Sequence, residues 1–281
     1  MSRRLSLTTS AVQRGVSLIE LMIAMTLGLI VASVVTGFFG PASNNRRELE
    51  SVARLHDNAA YAAELLSDEL RAAGYYGELR QTGLVWQTPD ACATSLATLG
   101  WATPANVPVP VMGIDKAQAT PACITDRRAG TDIVTLRRVD VAAVNAATVT
   151  SGAFLQVSKC LTDDPATPFI VSATGSNFVL QNRDCTTAAQ ARRILVRSYF
   201  IHCANGCAAG NRPTLTRAEL STDAGGNLAI VRTPLVDGIE NMQLEYGFDT
   251  NNDGMPDVFR IGLSGTAGAA DNDWSNVVAV R

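Results

Sequence analysis

The stretch from Val16 to Phe39 is 24 residues long and carries one charge, Glu20. As a helix rising 1.5 Å per residue it would reach ~36 Å, more than the ~30 Å hydrocarbon core of a bilayer. Arg3, Arg4 and Arg14 precede it, with no acid among the first 15 residues. That asymmetry predicts a cytoplasmic N-terminus and an exported remainder. A removed secretory signal is one competing reading, but its apolar region is usually ~7–15 residues long and ends at a small-residue cleavage site. Here the run is longer, a carboxylate sits near its start, and Pro41 spoils the small-residue site at Gly40-Pro41-Ala42. A plain transmembrane anchor is the other competitor.

Glu20 calls for a reason of its own. A carboxylate in a membrane helix costs roughly 3 kcal/mol on insertion scales, so it is usually paired or functional, or it snorkels to the interface. It is the fifth residue after Gly15, within Gly15-Val16-Ser17-Leu18-Ile19-Glu20-Leu21-Met22-Ile23-Ala24-Met25. This order resembles the type IV pilin signature. The resemblance implies cleavage after Gly15 by a prepilin peptidase, methylation of the new terminus at Val16, and assembly through Glu20, which pairs with a neighbouring subunit's amine. Valine stands where the family most often has phenylalanine.

Gly40-Pro41 predicts a kink or short break. Beyond it, Leu49, Val52, Leu55, Ala59, Ala63, Leu66, Leu70 and Ala73 recur every three or four residues, the pattern of an amphipathic helix ending at Gly74. Residues 80–130, rich in Pro, Ala and Thr, read as an irregular insertion. Short β-type runs follow at Asp132–Val139, Ala153–Val157, Phe169–Ser172, Phe178–Gln181, Arg193–Ile201, Thr214–Leu220, Leu228–Arg232, Met242–Phe248, Val258–Leu263 and Asn276–Val280. The expected fold class is α+β, a long N-terminal helix packed on a mainly antiparallel sheet. The expected division is a leader at 1–15, a membrane and filament-core helix at 16–39, its amphipathic continuation at 40–77, and a periplasmic head at 78–281.

Further phrases narrow the resemblance. Glu69-Leu70-Arg71-Ala72-Ala73-Gly74-Tyr75-Tyr76-Gly77, the run from Leu235 to Gly247, and Trp274–Arg281 are similar to blocks of PilW-type minor pilins. Chains of that family usually continue past the last block, so a truncated C-terminus is expected.

Six cysteines, Cys92, Cys123, Cys160, Cys185, Cys203 and Cys207, all lie beyond the export segment. An even number there suits an oxidising compartment. No Cys-x-x-Cys pair accompanies them, and His56 and His202 are far apart in sequence, so zinc is disfavoured. Pairing of sequence neighbours is favoured: Cys92–Cys123, Cys160–Cys185 and Cys203–Cys207. Buried free thiols are the alternative.

Asp249-Thr250-Asn251-Asn252-Asp253-Gly254-Met255-Pro256-Asp257 has the oxygen spacing of the first part of an EF-hand loop. Asp249, Asn251, Asp253, the Met255 carbonyl and Asp257 would be the calcium ligands, although Arg260 stands where the bidentate glutamate belongs. A metal-free Asn/Asp/Gly hairpin turn explains the same residues.

No nucleophile elbow, phosphate-binding loop, zinc-protease helix or dinucleotide fingerprint occurs, and the paired acids Asp163/Asp164 and Asp271/Asp273 read as solvated loop residues. An enzyme is not expected. The net charge of −3, which becomes more acidic once the leader arginines are removed, disfavours nucleic acid as a partner. No cofactor is required, and calcium is the one candidate. The resemblance implies a minor pilin that helps to initiate type IV pilus assembly, including a place at the pilus tip. The partners it implies are other minor and major pilins, the prepilin peptidase and the inner-membrane assembly machinery. It implies an inner-membrane location with the head in the periplasm, then the pilus. Two alternatives stay open: a pseudopilin of a type II secretion or DNA-uptake system, and a membrane-anchored periplasmic binding domain that never polymerises.

Overall fold

The computed structural model describes residues 15–80, 83–208, 210–263 and 273–281, with backbone alone at 38–45 and 47. The leader arginines and Asp271 lie outside the described residues. The chain divides into two compact units, one up to His56 and one spanning Asp57–Arg281.

Helix α1 runs Leu18–Ala72. Gly40-Pro41 does not interrupt it: the helical backbone continues through both residues. In the first unit, Leu18–Gly37 has a mean hydropathy of 2.4 and is long and apolar enough to cross a membrane. Its few hydroxyls turn back onto the helix. Thr26 Oγ1 donates to the Met22 and Ile23 carbonyls, Ser33 Oγ to Ile30, and Thr36 Oγ1 to Ala32 and Ser33. These bonds satisfy polar groups that lipid could not solvate.

In the second unit the last four turns of α1 lie on the sheet. Ala62 is buried, and Leu65, Leu66, Leu70 and Ala73 pack against the same core. Asn58 Nδ2 donates to the Asp237 carbonyl. This corrects the apolar stripe read from sequence, because Leu49, Val52, Leu55, Ala59 and Ala63 are exposed. The reason is geometric. A stripe repeating at about 3.4 residues precesses around a 3.6-residue helix, by about 120° over 24 residues, so its two ends cannot face one core. The helix stops where expected. Gly74 has φ +78°, its N–H bonds the Arg137 carbonyl, and the Val139 N–H bonds the Tyr75 carbonyl. The chain therefore leaves the helix already paired to the sheet.

The region 80–130 is not an irregular insertion. It contains β1 (Val85–Gln87), β2 (Asn106–Pro108) and β3 (Val111–Ile114). Val107 and Val109 are fully buried, and β1 and β2 pair in parallel. Strands of three or four residues broken by proline leave too little alternation to recognise in sequence. The remaining strands are β4 (Ile133–Val144), β5 (Phe154–Val157), β6 (Phe169–Ser172), β7 (Ala191–His202), β8 (Thr214–Thr222), β9 (Leu228–Asp237), β10 (Tyr246–Phe248), β11 (Val258–Arg260) and β12 (Val277–Val280). Two expected strands differ. Phe178–Gln181 forms only the bridge Gln181–Ala188, although Phe178 and Leu180 are buried. Of Met242–Phe248, only Tyr246–Phe248 is a strand.

The larger sheet is centred on β7. One edge of β7 pairs with β4, which carries β3 on its far side. The other edge forks: Ala191–Arg193 pairs with β5, and Arg197–His202 pairs with β8. Strands β6 and β9 extend the two prongs, and every ladder of this sheet is antiparallel. A second sheet has the order β11-β10-β12. It is fastened to the first by Asp132, a buried carboxylate that accepts the Lys116 and Leu244 N–H groups at 2.9 Å each. Tyr246 seals the junction. A Cβ at Gly113 would overlap its ring, so only glycine there lets the ring lie on β3. Trp274 stacks edge-on against Tyr246, with centroids 4.8 Å apart. The fold is α+β, with three disulfides in loops.

Candidate functional site

Gly15, Val16 and Ser17 precede the first helical turn and are exposed. Ser17 begins the helix, its carbonyl accepting the Glu20 and Leu21 N–H groups. Glu20 thus lies in the first turn of α1, where the partial positive charge of the helix terminus favours a carboxylate. Among the described residues no cation lies within salt-bridge reach of it. Here are an accessible peptide bond and an exposed acid on an apolar helix, two features that need other molecules to act.

The cysteines form three disulfides: Cys92–Cys123, Cys160–Cys185 and Cys203–Cys207, with Cα separations of 5.5, 5.0 and 5.0 Å. The last closes a tight loop in which Asn205, Gly206 and Cys207 all take positive φ.

The Asp249–Asp257 loop links β10 to β11. Asp249 is buried. Its Oδ1 accepts the N–H groups of Asn251, Asn252 and Asp253, and its Oδ2 that of Gly254. Asp257 Oδ2 accepts both the hydroxyl and the N–H of Thr250, which hold its carboxyl below the usual aspartate range. Asn251 Oδ1 and Asp253 Oδ1 accept the Asp253 and Met255 N–H groups. Among the described residues no three His, Cys, Asp or Glu side chains converge as a metal site. The carboxylates that the motif would direct at calcium are engaged with the loop's own donors.

One constellation escaped the sequence reading. On the sheet face that receives α1, Glu69 Oε1 bridges Arg138 Nη2 at 3.3 Å and Arg197 Nη1 at 2.5 Å. Arg197 also reaches Glu219 Oε1 at 3.3 Å, and Arg217 and Arg193 approach Glu219 at 3.0 and 4.0 Å. Burial pulls the Arg197 guanidinium down, but Glu219 and Glu69 more than offset it. Tyr199, in the same patch, is pushed up to about 12, first by burial and then by Glu69. The traces of this in sequence are the four-residue spacing of Arg193 and Arg197 and the two-residue spacing of Arg217 and Glu219, each of which puts a pair on one face of a strand. Nothing local announces their partners on α1 and β8.

A cleft of about 400 Å³ opens between Leu79, Leu84, Pro104, Val157 and Pro168, with Glu78, Lys159 and Asp163 at its polar wall. Lys159 Nζ donates to Glu78 Oε1 at 2.8 Å across it.

Comparison with known families gives two matches. Residues 11–36 match the prokaryotic N-terminal methylation motif, and residues 198–281 match type IV pilus-assembly protein W. Neither match includes 37–197. No curated protein and no solved structure matches the chain. The first match contains the exposed Gly15–Val16 bond and Glu20, and the second contains β8 to β12 with the clip to Asp132. Both matched families are structural rather than enzymatic, and they imply association with a membrane and with pilus assembly components. With one match at each end, the two together covering less than half of its length, the chain is similar to type IV pilin-like proteins of the PilW type.

Proposed function

We propose that this protein is a minor pilin that helps to initiate type IV pilus assembly and sits near the pilus tip. In this reading residues 1–15 are a cytoplasmic leader removed by the prepilin peptidase, and Val16 becomes the methylated terminus. Residues 16–39 first anchor the chain in the inner membrane and then enter the filament core. Residues 40–77 continue the helix, and the head from 78 onward faces the periplasm and later the cell surface. The observation that carries the reading is the placement of Glu20, five residues past Gly15 and in the first turn of an otherwise apolar helix. A cation at Val16 of one subunit and the Glu20 anion of the next would neutralise each other inside an apolar bundle, where either alone would be costly. Other pilins and the inner-membrane assembly machinery are the partners.

The test is the N-terminal mass of the protein from a membrane fraction. Cleavage after Gly15 with one added methyl is expected, and Gly15→Ala should leave the full-length chain. Glu20→Ala should be cleaved normally yet fail to enter pili; normal incorporation would sink the filament role. Deletion should abolish surface pili while protein secretion continues. The reverse result would make the chain a secretion pseudopilin.

The Asp249–Asp257 loop enters this reading as a hairpin closed by its own hydrogen bonds, with calcium as the alternative claimant on the same oxygens. Calorimetric titration of calcium into the purified chain should give no binding heat and no change in Tm. A saturable heat, removed by Asp249→Asn, would establish the cation.

A further inference from the structure

The sheet face that receives α1 is only partly covered by it. The register aligns Arg197 with Glu219 and Val231, and Tyr199 with Arg217 and Thr233. All six therefore lie on one face, the face on which Tyr199 packs with Ala62 and Leu66 of α1. Away from the helix that face is open: Val231 and Thr233 are exposed, and the Arg217 and Arg193 side chains are 26% and 43% exposed. Strands β8 and β9 offer a strip about 10 Å wide at ~4.8 Å per strand, which is the width of one helix.

The strip is also electrostatically incomplete. Four guanidinium groups, Arg138, Arg193, Arg197 and Arg217, share the two carboxylates of Glu69 and Glu219. The surplus is positive, and it emerges at Arg193 and Arg217. An occupant must therefore be shaped like a helix and carry acid.

Helix α1 supplies one. From Asp57 to Leu70 it has four acids and no base. Glu69 is spent inside the fold. Asp57, Tyr61, Glu64 and Asp68 repeat at four, three and four residues, so they form one stripe along the helix. All four are exposed, Tyr61 by 55%. Asp68 is shared with Arg71 at 3.2 Å, which leaves Asp57 and Glu64 as the free charges.

We propose that the Asp57–Asp68 stripe of one copy docks on the β8–β9 strip of a second copy, Glu64 and Asp57 meeting Arg217 and Arg193, and Tyr61 lying on Val231 and Thr233. Different patches meet, so the contact is heterologous. It deepens the pilin reading by naming a contact between heads, and it rests on that reading for its setting.

The test uses the full chain in detergent micelles, with a photo-crosslinking benzoylphenylalanine in place of Tyr61 and isotope-mixed copies. Mass spectrometry should map the cross-link to the β9 peptide containing Val231 and Thr233 on the other copy. Glu64→Arg, a change at an exposed site, should lower the yield about tenfold or more through like-charge contact. Combining Glu64→Arg with Arg217→Glu should restore it, which also shows that Arg217→Glu folds. The yield should fall as salt rises from about 0.05 to 0.5 M. Cross-links mapping elsewhere, or a yield indifferent to Glu64→Arg, would overturn the contact. Processing is scored separately by N-terminal mass. A cleaved chain that does not cross-link defeats this contact alone, and an uncleaved chain that does defeats the pilin reading alone.

Discussion

Asp132 shows how much one side chain can decide. It is nearly solvent-free, and its two oxygens accept N–H groups from a loop after β3 and from the segment before β10, while its own N–H bonds the Met242 carbonyl. Three stretches far apart in sequence meet on one residue. In Asp132→Ala the Lys116 and Leu244 N–H groups, held in part-buried hydrogen bonds, lose their acceptor, at about 1–3 kcal/mol each. The expected loss is about 3 kcal/mol, read as a lower urea midpoint at unchanged slope. A change under about 0.5 kcal/mol would place those N–H groups in contact with water. Arg137 is a comparable clamp, donating to the Pro89 and Val109 carbonyls, and burial lowers its guanidinium to about 10. Neither role is visible in sequence, where Asp132 reads as the residue that opens a strand.

At the scale of elements, the disulfides staple loops of very different length. Cys92–Cys123 spans 31 residues and Cys203–Cys207 spans 4. On chain entropy alone the first bridge should contribute about 3.5 kcal/mol and the second about 2 kcal/mol. Paired Cys→Ser variants ranked by denaturant unfolding should keep that order, and a reversed order would show that the short loop is held mainly by enthalpy. The Cys92–Cys123 bridge ties down the region read from sequence as irregular. There β1 to β3 are too short to signal themselves, and Val107 packs with Tyr76 and Val139 while Val109 joins the core that includes Leu70 and Ala73. Longer elements were legible for a plain reason: β7, β8 and β9 have nine residues or more, enough for β-branched and aromatic residues to accumulate.

For the whole molecule, acidification tests how the loops are secured. The carboxyls of Asp184, Asp223 and Asp257 are held below the ordinary value of 3.8, chiefly by hydrogen bonds from Thr187, Asn227 and Thr250, and Asp184 falls to about 2. Each folded pKa is depressed, so the stability it provides is complete above the unfolded value and is lost as pH falls through the folded one. Tm should therefore be flat from about pH 7 to 5 and decline between about pH 4 and 2. Asp184→Asn should weaken that decline, and an unchanged slope would remove Asp184 from the account.

By itself, the sequence determined several features that depend on neighbours along the chain. An unbroken apolar run can satisfy its backbone in lipid only as a helix, and the Gly15–Glu20 spacing is the same in any fold. The end of α1 at Gly74 and the turn residues of the Asp249–Asp257 loop are local in the same sense. Tertiary structure alone decided which face of the last helical turns is buried, because a drifting apolar stripe leaves that choice to the shape of the sheet. It also decided that Glu69, Arg138, Arg197, Arg217 and Glu219 would meet. Ion pairs depend on distance in space, and only the pairing of β4, β7 and β8 under α1 brings residues as far apart in sequence as Glu69 and Glu219 to one patch. The apolar helix that opened the sequence is thus a local property, while the charged patch where β4, β7 and β8 meet the end of α1 is a property of the fold.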